Sequence, residues 1–209
     1  MKVSYKFYRI CFRLARFFIG IFYHMSVSGT ENIPEGAALV CANHSSNLDP
    51  FFVAFAFGIG RHMHIIAKAE LFRIPVISSI LRRIGMISVD RDILDMTAVK
   101  VSLGYLKNYE KVVIFPEGTR VTEDDLISAK IGAIKLAERA AVPVIPVYAP
   151  RKKHLFRKTP IVIGQPYMIE KRKEKRSQEE YENLTIDMMQ RIRALGDAQS
   201  SAGSARVHR

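Results

Sequence analysis

The chain has few of the residues that build disulfide frameworks or structural zinc sites. Its 209 residues include two cysteines, Cys11 and Cys41, whose separation matches neither a zinc-ligand spacing nor a disulfide framework. Reduced thiols are usual inside cells, so this cysteine content is most simply interpreted as that of a cytoplasmic protein. The length suits a single domain with a substantial hydrophobic core.

Acidic residues are also scarce. There are 20 Asp and Glu against 32 Lys and Arg, which gives a formal net charge of +12. This excess favours anionic partners, namely nucleic acid, phosphorylated small molecules or an acidic membrane surface. No zinc knuckle or ribonucleoprotein-type aromatic motif accompanies the basic runs RKKHLFRK and KRKEKR. We therefore predict no nucleic-acid partner. Salt-sensitive pelleting with anionic liposomes, but not with oligonucleotides, would exclude that alternative.

No window contains the roughly 18–20 uninterrupted apolar residues that a membrane-spanning helix needs. The N-terminal residues 1–27 come nearest, but arginines interrupt them and no signal-peptidase site follows. One helical face of this segment is basic, with Lys2, Lys6, Arg9, Arg13 and Arg16. The other face is apolar, with Phe7, Ile10, Cys11, Leu14, Phe17, Phe18 and Ile21. The pattern favours a helix in the membrane interface over one packed only on its own domain.

Apolar strand-like and helical segments alternate after this helix, which predicts an α/β fold with a mostly parallel sheet flanked by helices. The predicted strands are 37–42, 62–68, 86–90, 111–116, 142–147 and 160–164. The prolines of 142–147 suggest a sheet edge or a bulge. The predicted helices begin at Pro50, cover 77–85, 92–108 (with Asp92 as N-cap) and 128–140, and follow a Ser177–Glu180 capping box. We assign 28–196 to one domain and 197–209 to a flexible tail.

Ionisable side chains follow four of the predicted strands. They are His44 and Asp49, Lys68 and Glu70, Asp90 and Arg91, and Glu117, Thr119 and Arg120. The carboxyl ends of parallel strands meet at one edge of a sheet, where α/β proteins bind their ligands. Three cations in this set, Lys68, Arg91 and Arg120, suit a ligand that carries phosphate.

The segment NHSSNLD, residues 43–49, follows the first core strand and carries the candidate base. If the turn folds back, the Asp49 carboxylate can meet one imidazole nitrogen of His44 and leave the other free to accept a proton. Alternatively, His44 is a structural histidine and Asp49, directly before Pro50, is a helix N-cap. No GxSxG elbow surrounds Ser45. A His/Asp pair without a nucleophile indicates a base that activates a substrate hydroxyl.

The segment FPEGTR, residues 115–120, is the second strong signal. A strand that ends in Pro-Glu-Gly passes into a tight loop that presents Glu117 and Arg120. The alternative is an ordinary turn with solvated charges, which the buried phenylalanine beside a Glu/Arg pair makes less attractive.

Five segments in order resemble the motif blocks of the glycerolipid acyltransferases, the family of 1-acylglycerol-3-phosphate acyltransferases. They are NHSSNLD (43–49), KAELFRIPVI (68–77), GMISVDR (85–91), FPEGTR (115–120) and VPVIPV (142–147). The resemblance covers residues about 28–165. Ser88, Val121 and ISAKIG (127–132) depart from the family pattern, which leaves the acceptor and the shape of the acyl channel open.

The resemblance implies transfer of a fatty acyl group from a thioester, acyl-CoA or acyl carrier protein, to the sn-2 hydroxyl of 1-acylglycerol 3-phosphate. His44 is then the general base and Asp49 its partner, with no acyl-enzyme, no metal and no tightly bound cofactor. The candidate substrate-binding residues are Asn43, Lys68, Arg91, Glu117, Gly118, Thr119 and Arg120. Asn43 and Gly118 are candidates for shaping an oxyanion site. The expected location is the cytoplasmic face of the membrane. Another acceptor, such as glycerol 3-phosphate, another lysophospholipid or an aminolipid, and a catalytically silent lipid-phosphate-binding protein stay open as alternatives.

Overall fold

Seven strands form one sheet in the computed structural model, which describes residues 3–91, 93, 95–118, 129–172 and 174–207. The strands are β1 (His24–Ser28), β2 (Ala38–Ala42), β3 (Met63–Lys68), β4 (Ile87–Val89), β5 (Lys111–Ile114), β6 (Val144–Tyr148) and β7 (Lys158–Ile163). Their order across the sheet is β1-β7-β6-β2-β5-β3-β4. All neighbours pair in parallel except β6 and β7. This topology confirms the predicted α/β class with a mostly parallel, mixed sheet.

The described part of the chain contains six α-helices. They are α1 (Tyr5–Phe22), α2 (Asp49–Phe57), α3 (Pro75–Arg83), α4 (Met96–Lys107), α5 (Gly132–Ala140) and α6 (Gln178–Val207). Helices α1 and α2 pack on one face, where Phe52, Phe57 and Met63 are among the buried core residues. Helices α4, α5 and α6 bury Leu106, Ile134 and Met188 on the other face. The sheet is covered on both faces, as expected for parallel strands rich in valine and isoleucine.

Side-chain caps fix where several helices begin. The Ser177 hydroxyl and the Glu180 carboxylate each accept a hydrogen bond from the other's backbone N–H, so the predicted capping box before α6 is confirmed. At α4, the carboxylate of Asp95 accepts the N–H groups of Thr97 and Ala98 at 2.9 and 3.0 Å. Asp95 is therefore the N-cap, and the prediction of Asp92, which lies outside the described residues, was wrong.

The predicted position of β6 needs correction. Its prolines suggested a sheet edge, but β6 lies inside the sheet, with β2 on one side and β7 on the other. Pro146 pairs with Cys41 of β2. The antiparallel pairing of β6 with β7 begins only at the next residue, Val147. Pro146 still accepts a hydrogen bond through its carbonyl, from the Gly164 N–H at 2.8 Å. Proline has no backbone N–H to donate, and this is tolerated because the β6–β7 ladder is short there.

Both ends of the chain also differ from the predicted boundaries. Residues 24–27, assigned to the N-terminal helix, belong to β1, which pairs in parallel with β7. Helix α6 continues through the predicted tail to Val207. The hydroxyls of Ser200 and Ser201 donate to the carbonyls of Gly196 and Asp197, four residues earlier, so these small polar residues are accommodated within the helix.

Candidate active site

The His44–Asp49 pair forms where the chain leaves β2 and enters α2. His44 Nδ1 lies 3.1 Å from Asp49 Oδ2, and the two residues are 8% and 0% exposed. Asp49 is the first residue of α2, and its Oδ2 also accepts the backbone N–H groups of Ser45 and Ser46 at 2.7 Å. Asp49 thus binds back to the loop and not to the N–H groups of its own helix, as an N-cap would. The loop is thereby folded so that the carboxylate orients the imidazole.

Lys153 is the second partner of Asp49. Its ammonium nitrogen lies 2.5 Å from Asp49 Oδ1, and its side chain is only 3% exposed. The same nitrogen donates to the Pro150 carbonyl at 2.7 Å and to the Ser45 hydroxyl at 3.3 Å. A buried lysine persists when its charge is paired and hydrogen-bonded, and Lys153 satisfies both conditions. His44, Asp49 and Lys153 therefore form one continuous polar chain.

The ionisation of Asp49 is set by opposing effects. Burial by itself raises the pKa of this carboxyl, but the hydrogen bond from His44, the Lys153 ammonium and the Ser45 N–H outweigh it and hold the pKa below its ordinary value. Asp49 is therefore a carboxylate at neutral pH. An ionised Asp49 accepts a hydrogen bond from the Nδ1–H of His44, which leaves Nε2 of His44 with its lone pair.

Glu117 supports the same loop from the end of β5. It is 3% exposed, and its Oε2 accepts the backbone N–H of His44 at 2.8 Å. Arg151 lies near its other oxygen, with Nη2 3.8 Å from Oε1. The ring of Phe115, two residues before Glu117, stacks on the imidazole of His44 at a centroid distance of 4.4 Å. These contacts fix the position of His44, whereas substrate binding by Glu117 stays a prediction.

Asn43 connects the ends of β2 and β6. Its Nδ2 donates to the Ala149 carbonyl and its Oδ1 accepts the Ala149 N–H, both at 2.8 Å. Asn43 is 4% exposed, so both ends of its amide are buried and satisfied. The contacts give Asn43 a structural role, and its predicted part in an oxyanion site is untested.

Arg91 and Gly118 line one cavity of about 170 Å³ between the sheet edge and helices α4 and α5. The Lys130 ammonium donates to the Arg91 carbonyl at 2.8 Å, and the Gly118 N–H is used by the Phe115 carbonyl at 3.0 Å. Gly118 has φ +67°, where a side chain would be strained and would also approach Lys130. The tight turn predicted after β5 is therefore observed as far as Gly118.

The structure says less about the remaining predicted substrate-binding residues, Lys68, Thr119 and Arg120. Lys68 stands at the end of β3, where it forms an exposed ion pair with Glu70 at 2.7 Å. Thr119 and Arg120 lie outside the described residues. The structure thus joins His44, Asp49 and Glu117 directly. It places Lys68, Arg91 and Gly118 at the carboxyl ends of the neighbouring strands β3, β4 and β5.

Sequence reasoning missed Lys153 and Arg151, and it considered Ser45 only as a nucleophile and not as part of the hydrogen-bonded loop. The first two follow β6, which pairs in parallel with β2 and ends beside it. Its end was not among the four strand ends used to predict the site. The signal was available, because the strand-end rule that located His44 also applies to the basic residues after 142–147. Those residues were instead grouped with a basic run on the surface.

Comparisons with known proteins identify the family. Residues 24–149 match the family model described as Acyltransferase. The chain is 30% identical, over 90% of its length and 96% of the relative's, to the 1-acyl-sn-glycerol-3-phosphate acyltransferase of Bacillus subtilis. It is 31% identical to the enzyme of that name from Borreliella burgdorferi, over 70% of this chain and 58% of the relative.

A solved structure shares the fold. The crystal structure of the 1-acyl-sn-glycerophosphate (LPA) acyltransferase PlsC from Thermotoga maritima superposes with a TM-score of 0.66 and 26% identity. The match covers 93% of this chain and 79% of the other. With the family model and the Bacillus subtilis relative, this likeness leaves one assignment: the chain belongs to the acyltransferase family and is an enzyme of the O-acyltransferase class.

Proposed function

We propose that this enzyme transfers a fatty acyl group from a thioester to the free hydroxyl of 1-acylglycerol 3-phosphate, giving phosphatidic acid. The buried His44–Asp49 pair carries the proposal, because it supplies a fixed general base, while the adjacent Ser45 hydroxyl donates to the Arg151 carbonyl at 3.2 Å. The names of its relatives point to the same acceptor. The acyl donor is acyl-CoA or acyl carrier protein, and no metal or tightly bound cofactor takes part in the transfer.

His44 acts on the acceptor hydroxyl. Its Nε2 takes the hydroxyl proton as the oxygen attacks the thioester carbonyl, and the new C–O bond forms directly on the acyl carbon. The C–S bond then breaks, and the imidazolium returns its proton to the departing thiolate. Asp49 stabilises the imidazolium, since its carboxylate is held ionised 3.1 Å from Nδ1. Positioned general-base catalysis of this kind contributes about 10²–10⁴-fold.

The acceptor phosphate is bound by cations at the same sheet edge. Lys68 ends β3, which lies beside β5 and its Glu117, and Arg91 follows β4 on the far side of β3. Arg120 completes the set in this proposal, since a guanidinium offers the paired donors that a phosphate accepts best. Glu117, Gly118, Thr119 and Asn43 complete the proposed binding site through the two loops that follow β5 and β2.

Helix α1 brings this site to the membrane in the proposal. Its Tyr8, Phe12 and Ile19 face the domain, whereas Phe17 and Phe18 are 66% and 59% exposed. The exposed apolar row also contains Ile10, Leu14 and Ile21. At 100° per residue the basic row of Lys6, Arg9, Arg13 and Arg16 borders this apolar row; Lys2 lies outside the described residues. An apolar row with a basic border suits a monotopic helix on an anionic, cytoplasmic membrane face.

Among the described residues, no helix combines the length and the hydrophobicity that crossing a membrane requires.

Replacing Phe17 and Phe18 together by serine is expected to weaken binding to anionic vesicles by at least about tenfold, because each buried phenylalanine contributes about 1.5–3 kcal/mol. Pelleting with vesicles that contain phosphatidic acid would measure the loss. Met168→Ser is the matched control, since Met168 is 56% exposed and lies beside Tyr167, which packs on the opposite face of the sheet. Equal weakening by the control, or no weakening by the double variant, would contradict docking through α1.

The reaction itself is tested with detergent-solubilised protein, 1-acylglycerol 3-phosphate and a labelled acyl thioester. We expect phosphatidic acid by mass spectrometry, with acyl-CoA and acyl carrier protein supplied in separate reactions to identify the donor. Parallel reactions contain glycerol 3-phosphate or a lysophospholipid with a different headgroup. Product only from one of these would replace the proposed acceptor, and no acyl transfer to any of them would contradict the proposed reaction.

A further inference from the structure

A second cluster of ionisable residues lies at the opposite edge of the sheet from His44. His62 directly precedes β3, His64 is its second residue, and Glu110 directly precedes β5. One potential ligand atom from each of these three residues lies within 4.8 Å of the other two. The cluster is therefore at the amino ends of the strands, and the acyl-transfer mechanism does not use it.

Backbone carbonyls fix the two imidazoles of this cluster. His62 Nε2 lies 2.9 Å from the Ile84 carbonyl, and His64 Nδ1 lies 2.8 Å from the Gly85 carbonyl. A carbonyl accepts but cannot donate, so the neutral rings carry their protons on these two nitrogens. Nδ1 of His62 and Nε2 of His64 then carry lone pairs. Histidines that bind metals are held in this way, with one N–H anchored and the other nitrogen directed to the ion.

Neither nitrogen with a lone pair, Nδ1 of His62 or Nε2 of His64, has a hydrogen-bond donor beside it among the described residues. His62 Nδ1 is buried and has no hydrogen-bond partner among the described residues. His64 Nε2 lies 3.0 Å from the Glu110 carboxylate, so these two acceptors need a cation between them, either a proton or a metal ion. Glu110 keeps an 18% exposed side chain, which gives an ion access from solvent.

We propose that His62, His64 and Glu110 bind one divalent transition-metal ion of the zinc class. Two imidazole nitrogens and one carboxylate are a donor set that suits zinc, with a water molecule completing four-fold coordination. The same set is a poor site for Mg²⁺, which prefers an all-oxygen octahedral environment. His62 would bind through Nδ1 and His64 through Nε2.

The ion would anchor α1 to the sheet. The Tyr5 hydroxyl donates to Glu110, and the rings of Tyr5 and Tyr8 make edge contacts with His62 at centroid distances of 4.8 and 4.2 Å. Tyr105 stacks on His64 from α4. The ligands therefore link α1, α4 and the turn before β4, and the role is structural and independent of acyl transfer.

Zinc titration of protein stripped with a chelator tests the site. We expect about one equivalent of Zn²⁺ per chain by isothermal titration and elemental analysis, with a higher melting temperature that Mg²⁺ at the same concentration does not produce. His62→Ala and Glu110→Gln should each weaken zinc binding at least about tenfold, because they remove a ligand. Circular dichroism of each variant would establish that it is folded.

His24→Ala and His154→Ala are the control variants, since both histidines are exposed and lie outside the cluster. They should bind zinc as the wild type does. Glu110→Gln keeps the size of the side chain, so it separates loss of a ligand from loss of folding. Wild-type protein that binds no zinc at micromolar concentration, or folded His62→Ala and Glu110→Gln that bind zinc unchanged, would overturn the proposal.

Discussion

Replacing His44 by alanine is expected to lower kcat for acyl transfer by about 10²–10⁴-fold. The alcohol then lacks a group that removes its proton, while the cations proposed to bind the phosphate are unchanged. The melting temperature should change little, since the fold of the loop depends on Asp49 and on the backbone N–H of His44, which alanine retains. Steady-state kinetics with 1-acylglycerol 3-phosphate would measure kcat and KM, and the loss should be in kcat.

His154→Ala is the control for this experiment, because His154 is exposed and lies in the loop after β6, next to Lys153. It should retain the wild-type kcat. Equal activity of His44→Ala and wild type would remove His44 from the mechanism and would point to a different base or to a contaminating enzyme.

Asp49→Asn should also lower kcat, since an amide cannot stabilise the imidazolium as the carboxylate does.

Replacing Lys153 by methionine should destabilise the protein by about 3–5 kcal/mol, the usual cost of leaving one partner of a buried ion pair alone. Asp49 is fully buried and the Lys153 side chain nearly so, so solvent cannot replace the lost ammonium. Methionine fills much the same space, which limits the effect to charge and hydrogen bonding. Urea unfolding would measure the change, and kcat should fall with it because Asp49 no longer holds His44 in one orientation.

The pH dependence of stability gives a second measure of the same pair. The pKa of Asp49 is lowered in the folded protein, so its ionised form contributes stability that is present above the unfolded-state pKa and lost as pH falls through the lower folded-state value. Loss of Lys153 raises that folded-state pKa toward the unfolded-state value, so the acid loss of stability due to Asp49 becomes smaller and ends at a higher pH. Lys152→Met, at the exposed neighbouring position, should leave both measurements unchanged. An unchanged acid limb in Lys153→Met would show that Lys153 does not hold Asp49 ionised.

Most of the sheet could be predicted because its strands are short apolar runs with turn residues between them. β2, β3 and β5 are buried along most of their length, and such strands read as continuous apolar segments. β1 could not be recognised, since its alternate residues are exposed and it follows the amphipathic helix with a single residue between. The continuation of α6 was missed because small polar residues favour a helix only weakly, and side-chain bonds to the preceding turn are not visible in a sequence.

The candidate site, like the sheet, could be predicted only in part. His44 and Asp49 are five positions apart, so the turn that joins them was a local inference. Lys153 meets Asp49 across more than one hundred residues, and only the order of strands brings β2 beside β6. The double contact between Asn43 and Ala149 depends on the same neighbours. Pairing between distant strands decides which charged loops meet, and spacing along the chain does not carry that information.

The pairing of β1 with β7 also sets an order of events during synthesis. His24 pairs with Lys158, about 130 residues further along the chain. At roughly 5–20 residues per second, the ribosome makes that partner on the order of ten seconds after β1. Helix α1 leaves the ribosome before β7 is made, so β1 stays unpaired for that interval. Under the membrane-docking proposal, α1 of the nascent chain can bind lipid before the domain behind it has folded. Pairing across so long a separation also makes this edge a slow step in refolding from denaturant.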